Sequence, residues 1–283
     1  MQKFISFIIK KIIGFYINLL SYIYPVKATK LAYKFFSEPR VGRLFKDKLP
    51  TILKEAEAGI ITHKNAIYQT YTWPGNDKKV LLVHGWESNT ARWELLLPYL
   101  RKSGSTVIAI DAPAHGLSSG NEFNIPKYAE VINAVAQQVK PNYLIGHSLG
   151  GATAIYYQSH YQTSIEKIVI LGAPSDLKVI VTNYLAMLSL NSRVSALMDN
   201  HFIKNFKFKT EEFAGSLFAS KIKIKGLLAH DKEDTIVSFK EAKKIADAWP
   251  GVEFVQTKGL GHSLHDDALY RKIYSFLFNE KFA

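Results

Sequence analysis

Gly146-His147-Ser148-Leu149-Gly150 lies between the apolar run Tyr143-Leu144-Ile145 and the helix-compatible stretch from Gly151 to Tyr157. The order reads strand, sharp turn, helix, with the serine at the apex. So abrupt a turn forces its central residue into a strained backbone, which demands small residues two before and two after it. It also lifts the hydroxyl clear of the sheet, beside the first free amides of a helix. Elsewhere Thr106 to Ile110 and Lys167 to Leu171 are short, continuous, β-branched runs, as expected of strands buried on both faces. Helical patterns such as Pro126 to Val139 separate them, and that alternation implies a mostly parallel sheet flanked by helices. Ile60 to Trp73, broken by His63-Lys64-Asn65, reads as an opening hairpin. With 47% apolar residues, the 283-residue chain can bury a large core, and α/β folds of this length are commonly one domain.

A serine at neutral pH needs a base to take its proton and an acid to orient that base. Of nine histidines, His262 has the best context, on the glycine-flanked loop Gly259-Leu260-Gly261-His262-Ser263 after the β-like run Val252 to Thr257. His265 competes, but it begins the amphipathic pattern Leu264 to Phe278 and reads better as a residue that caps or decorates a helix. The acid should end the preceding strand, Ile224 to His230, which offers Asp231, Glu233 and Asp234. Asp234 is preferred, because three residues of loop let its carboxylate reach back; Asp231 then shapes the turn and Glu233 is solvated. Stabilising an oxyanion takes two backbone donors. The Leu149 amide is one, and the run Val80 to Val83 followed by His84-Gly85-Trp86 offers the Trp86 amide as the other. His84 reads as a brace for that loop rather than a second base.

These residues together resemble the α/β-hydrolase fold superfamily, of the serine esterase and lipase type. The resemblance rests on His84-Gly85-Trp86, Asp111 to Ser118, Gly146 to Gly151, Asp234 and Gly261-His262, and covers about residues 58 to 280. It implies a Ser148–Asp234–His262 triad, an oxyanion hole from the Trp86 and Leu149 amides, and a structural turn at Asp111 to Ser118. Ala114 stands where many relatives carry glycine, and the second glycine often seen shortly after His-Gly is missing. The expected reaction is hydrolysis of a small-molecule ester or lipid-like substrate through an acyl-enzyme. Thioesterase, amidase or C–C hydrolase chemistry could use the same machinery. A catalytically silent, membrane-associated binding protein is the alternative of another class.

Residues 176–223 interrupt the alternation with helical patterns, Leu177 to Leu190 and Val194 to Phe206, and no strand. They read as a helical lid inserted between core segments 58–175 and 224–283, with Met187, Leu188, Leu190, Leu197, Met198, Phe202 and Phe206 as its apolar side. Residues 1–50 read as a basic, amphipathic, helical segment. Phe4 to Tyr24 is largely apolar, and Lys3, Ser6, Lys10, Asn18 and Ser21 share one side of a helix. Adjacent Lys10 and Lys11 argue against a transmembrane span, since no uncharged run reaches about 18 residues. The expectation is an interfacial helix, residues 1–24, on an anionic membrane surface. A secretory signal and a helix packed on its own protein are the alternatives. Ten lysines and arginines against Glu38 and Asp47 give residues 1–50 a net +8 of the chain's +12, which suits acidic lipid. The localisation expected is cytoplasmic, peripheral to the inner face of a membrane, with an exported or signal-anchored form as the alternative. No recognition motif for nucleic acid accompanies the charge, so none is expected as a partner. The chain has no cysteine and its histidines lack metal-site spacing, so neither metal nor cofactor is expected. The oligomeric state is not legible.

Overall fold

In a computed structural model, residues 2–282 are described, apart from the side chains of residues 2–4 and 6. The chain opens with helices α1 (Gln2–Ile23), α2 (Pro25–Ser37) and α3 (Thr51–Lys54). Strands β1 (Glu57–His63), β2 (Ala66–Trp73) and β3 (Asn76–Val83) follow, then α4 (Leu97–Lys102), β4 (Ser105–Ile110), α5 (Ile125–Val139) and β5 (Tyr143–His147). Next come α6 (Leu149–His160), β6 (Lys167–Leu171), α7 (Leu177–Leu188), α8 (Ser192–Phe206) and α9 (Gly215–Ala219). The chain closes with β7 (Lys225–Asp231), α10 (Phe239–Ala248), β8 (Glu253–Thr257) and α11 (Asp267–Phe278).

Residues 39–175 and 215–283 form one compact unit, built on an eight-stranded sheet of order β1-β2-β4-β3-β5-β6-β7-β8. The pairs β1–β2 and β2–β4 are antiparallel, and every later neighbour is parallel. Strands β5 and β6 are buried at every position, which explains the apolar runs Tyr143-Leu144-Ile145 and Ile168 to Leu171 within them. The β1–β2 connection is a two-residue turn with Lys64 and Asn65 both at positive φ, 49° and 61°, whose twist matches that of the flanking strands. Because β3, β5, β6, β7 and β8 run parallel, the loops that leave their carboxyl ends gather along one edge of the sheet.

The helical insertion and the amino-terminal helices form the other compact unit, residues 1–38 and 176–214. These borders differ from the sequence reading at both ends. Residues 39–50 belong to the sheet unit, because Leu44 donates to the Gly116 carbonyl, Gly116 donates to Gly42, and Arg40 pairs with Glu87. Residues 215–223 also belong there, since Gly215 donates to the Ser175 carbonyl and Phe218 packs on Tyr156. Within the helical unit, Tyr184 donates to the Ala32 carbonyl at 2.6 Å, and Phe36 lies against both Tyr184 and Phe202. Leu188, Met198 and Phe202 of the insertion are buried, whereas Met187 is exposed. The last helix starts later than expected: Leu264 sits at φ 54°, and Asp266 caps the helix through the Leu269 amide. Among the described residues, no helix is long and apolar enough to cross a membrane.

Candidate active site

Ser148 joins β5 to α6 at φ 54° and ψ −127°, a conformation that side-chain-bearing residues rarely adopt. Its amide is tied to the Leu171 carbonyl at 2.8 Å, which locks the turn to the neighbouring strand. The flanking glycines are a steric necessity. A Cβ on Gly146 would stand 2.7 Å from the Gly150 carbonyl oxygen, and one on Gly150 would stand 2.3 Å from that of Val83.

The loops after β7 and β8 bring two of the anticipated side chains to this hydroxyl. His262 Nε2 lies 3.0 Å from Ser148 Oγ, and His262 Nδ1 lies 2.7 Å from Asp234 Oδ2. The other carboxylate oxygen of Asp234 accepts from the amides of Ile236 at 2.8 Å and Val237 at 2.9 Å. Burial pushes the Asp234 carboxyl up. The hydrogen bonds from His262 and from those two amides outweigh burial and hold it below the usual carboxylate range. Asp234 is therefore an anion at neutral pH, and its charge fixes the proton of His262 on Nδ1.

The competing residues have other partners. Asp231 accepts from the Leu260 amide and the Thr257 hydroxyl on one oxygen and from the Glu233 amide on the other, so it ties down the loop that carries His262. Glu233 is exposed and faces Lys258 at 3.7 Å. His265 bonds to the Tyr270 hydroxyl. Opposite the elbow, a Cβ on Gly85 would meet the Ser148 Cβ at 2.7 Å and the Leu149 nitrogen at 3.2 Å. The His84-Gly85-Trp86 loop thus leans directly on the serine turn. Among the described residues, neither the Trp86 amide nor the Leu149 amide donates to a protein acceptor.

His147 is the residue the sequence did not single out. Its Nε2 donates to the His262 carbonyl at 2.8 Å, and the two rings lie 4.9 Å apart. Burial holds its pKa well below the ordinary value, so the ring is neutral. It fastens the histidine loop from the elbow itself. These partners are 115 positions apart, a pairing no local pattern reveals.

Two more buried histidines brace the His84-Gly85-Trp86 loop and its surroundings. His84 Nε2 accepts from the Ala112 amide and His115 Nε2 accepts from the Glu87 amide, each at 2.9 Å. Their Nδ1 atoms donate to the carbonyls of Gly85 and Pro113. A proton on either Nε2 would face an N–H, so both rings must stay neutral. Burial pushes His84 down to about 4 and His115 down to about 3. In the unfolded chain both return to about 6.5. Between that value and their folded values only the unfolded chain binds these protons, so stability falls as pH falls. Each ring should contribute a slope of about 1.4 kcal/mol per pH unit across its window. The melting temperature should drop steadily from pH 6.5 to 4.5; a flat profile would contradict neutral buried rings.

A family model described as the alpha/beta hydrolase fold matches residues 78–221, just over half of the chain. A serine hydrolase-like protein of Danio rerio is 34% identical over 116 residues, 39% of this chain and 35% of that protein. A pimeloyl-[acyl-carrier protein] methyl ester esterase of Neisseria meningitidis is 33% identical over 102 residues, 35% of this chain and 38% of that protein. The matches thus span only about a third of the length of these relatives. Among solved structures, an esterase from Pyrococcus furiosus superposes with a TM-score of 0.66 at 22% identity, covering 86% of this chain and 98% of that one. At that identity the likeness speaks for the fold alone. The chain belongs to the α/β hydrolase fold family.

Proposed function

We propose that this protein is a serine hydrolase that cleaves a carboxylic ester of a moderately apolar acyl group through an acyl-enzyme. The observation that carries the reading is the continuous line Ser148 Oγ–His262 Nε2, His262 Nδ1–Asp234 Oδ2, at 3.0 and 2.7 Å. In the proposed first half-reaction Ser148 Oγ attacks the acyl carbon while His262 Nε2 takes the hydroxyl proton. The carbonyl oxygen becomes an anion and accepts from the Trp86 and Leu149 amides. Collapse of the tetrahedral species breaks the bond to the alkoxide, which leaves with the proton from His262. Water then attacks the acyl-Ser148 ester with His262 again as base, and the acid departs as the serine recovers its proton. Asp234 stabilises the imidazolium in both halves and is not itself protonated.

An ester is preferred to an amide because an alkoxide is a less basic leaving group than an amine anion and departs with less help from His262. The methyl ester named for the Neisseria meningitidis relative supports the same class. With p-nitrophenyl esters of two to twelve acyl carbons, the expectation is steady turnover, with an initial burst of nitrophenol that matches the enzyme concentration where deacylation is slow. Absence of turnover on the whole series in folded protein would overturn the ester assignment.

A further inference from the structure

The amino-terminal helix α1 buries one side and leaves a second apolar side uncovered. An amphipathic helix on a water-soluble protein buries its apolar side and shows its polar side to solvent. Here the side in contact buries Ile17 and Leu20, but the polar residues lie on it too. Asn18 donates to the Ser189 carbonyl and accepts from the Asn191 amide, each at 2.9 Å, and Lys11 reaches the Ser189 hydroxyl. Ser21 is fully buried, and its carbonyl accepts from Arg193. Gly14 lies at the crossing with the end of α7, where a Cβ would stand 1.7 Å from the Leu188 carbonyl oxygen. Lys3 and Ser6, also assigned to this side by spacing, lie among the residues whose side chains are not described.

The opposite side is apolar and uncovered. Ile8, Ile12, Phe15, Leu19 and Tyr22, at alternating spacings of four and three, are all exposed, Ile12 by 62% and Phe15 by 73%. Ile9, Tyr16 and Ile23 widen the stripe, so no charged residue interrupts it. At its end the face continues into a concavity of about 400 Å³ lined by Ile23, Tyr24, Val26, Lys27 and Lys30. Lys27, Lys30 and Lys34 share the exposed side of α2, opposite the buried Ala28 and Ala32. An apolar surface this long in water needs an occupant.

We infer that this face docks on an anionic phospholipid surface: the α1 stripe enters the acyl boundary, and Lys27 and Lys30 meet the phosphates. Charge decides among the occupants. Residues 1–37 carry six lysines and no carboxylate, so two copies joined through this face would bring twelve like charges together without a counter-charge. Acidic lipid supplies both the apolar layer and the neutralising charge. The tyrosines at 16, 22 and 24 suit the headgroup level, where an apolar ring with a polar tip is at home. This inference does not depend on turnover at Ser148.

The test keeps α1 in place, because its inner side covers α7 and α8. Full-length protein is co-sedimented with vesicles of phosphatidylcholine alone and with 30% phosphatidylglycerol added. Wild type should pellet with the acidic vesicles. I12Q/F15Q, both changes on exposed positions, should bind at least about tenfold less with an unchanged melt. K27Q/K30Q should weaken binding to acidic vesicles by about fivefold per lysine and leave binding to neutral ones unaltered. Wild type that stays in solution with acidic vesicles, or I12Q/F15Q that pellets as wild type does, would overturn the proposal. So would a wild-type dimer by light scattering that I12Q/F15Q converts to monomer, since a second copy would then cover the face. Sedimentation reduced by K27Q/K30Q but untouched by I12Q/F15Q would also count against it, because charge alone would then suffice.

Discussion

Ser148→Ala should fold and melt as the wild type does, yet hydrolyse every ester in the series at least about 10⁴-fold more slowly, the scale typical of losing a member of such a relay. The substitution removes one oxygen and leaves the Cβ against which Gly85 packs. It keeps the amide that bonds to Leu171, so the turn has no reason to relax. His262 retains Asp234 and the His147 contact. Only the attacking atom is gone. The measurement is kcat/KM beside a thermal melt, and full hydrolysis by a folded Ser148→Ala protein would refute the proposed mechanism.

Asp234→Asn and His262→Ala should each cost about 10⁴-fold or more, whereas Asp231→Asn should cost less than about a hundredfold and His265→Ala almost nothing. At position 234 an asparagine can still accept from the amides of Ile236 and Val237 with one oxygen. Its amide nitrogen then faces His262 Nδ1 and donates to it. That reverses the tautomer, so Nε2 carries the proton and cannot take one from Ser148. An asparagine at 231 keeps an oxygen for the Leu260 amide and the Thr257 hydroxyl, and the loop that carries His262 stays largely in place. His265 contacts Tyr270 and has no place in the line from Ser148 to Asp234. Rates for the four folded variants decide the ranking; a larger loss in Asp231→Asn than in Asp234→Asn would mean that the wrong acid has been assigned.

Much of this was legible in the sequence because the features are local. Unbroken β-branched runs mark strands buried on both faces, and glycines two before and two after Ser148 mark a turn that admits no Cβ. His262 stood out for the same reason, as a histidine on a glycine-flanked loop after a strand. What stayed hidden depends on contacts between distant segments. The hydrophobic pattern of residues 4–24 shows that a helix has two sides, but it cannot say which side meets the rest of the chain. Here Ile17 and Leu20 are buried together with Gly14 and Ser21, and Asn18 bonds across, while an equally apolar side stays exposed. Residues 39–50 carry charge like the helices before them, and their membership of the sheet unit rests on hydrogen bonds to Gly116 and an ion pair with Glu87. His147 sits inside the most visible motif of the chain, yet its partner lies 115 residues away. The start of α11 was misread because Leu264 continues the apolar period, although its left-handed backbone keeps it out of the helix.

The central claim is that Ser148 is the nucleophile, and covalent labelling with a fluorophosphonate probe tests it most directly. The phosphonate should add once per chain. Proteolysis and mass spectrometry should place the adduct on Ser148, and the label should be absent from Ser148→Ala and strongly slowed in His262→Ala. Stoichiometric labelling of folded Ser148→Ala, or an adduct on any other residue of the wild type, would contradict the account.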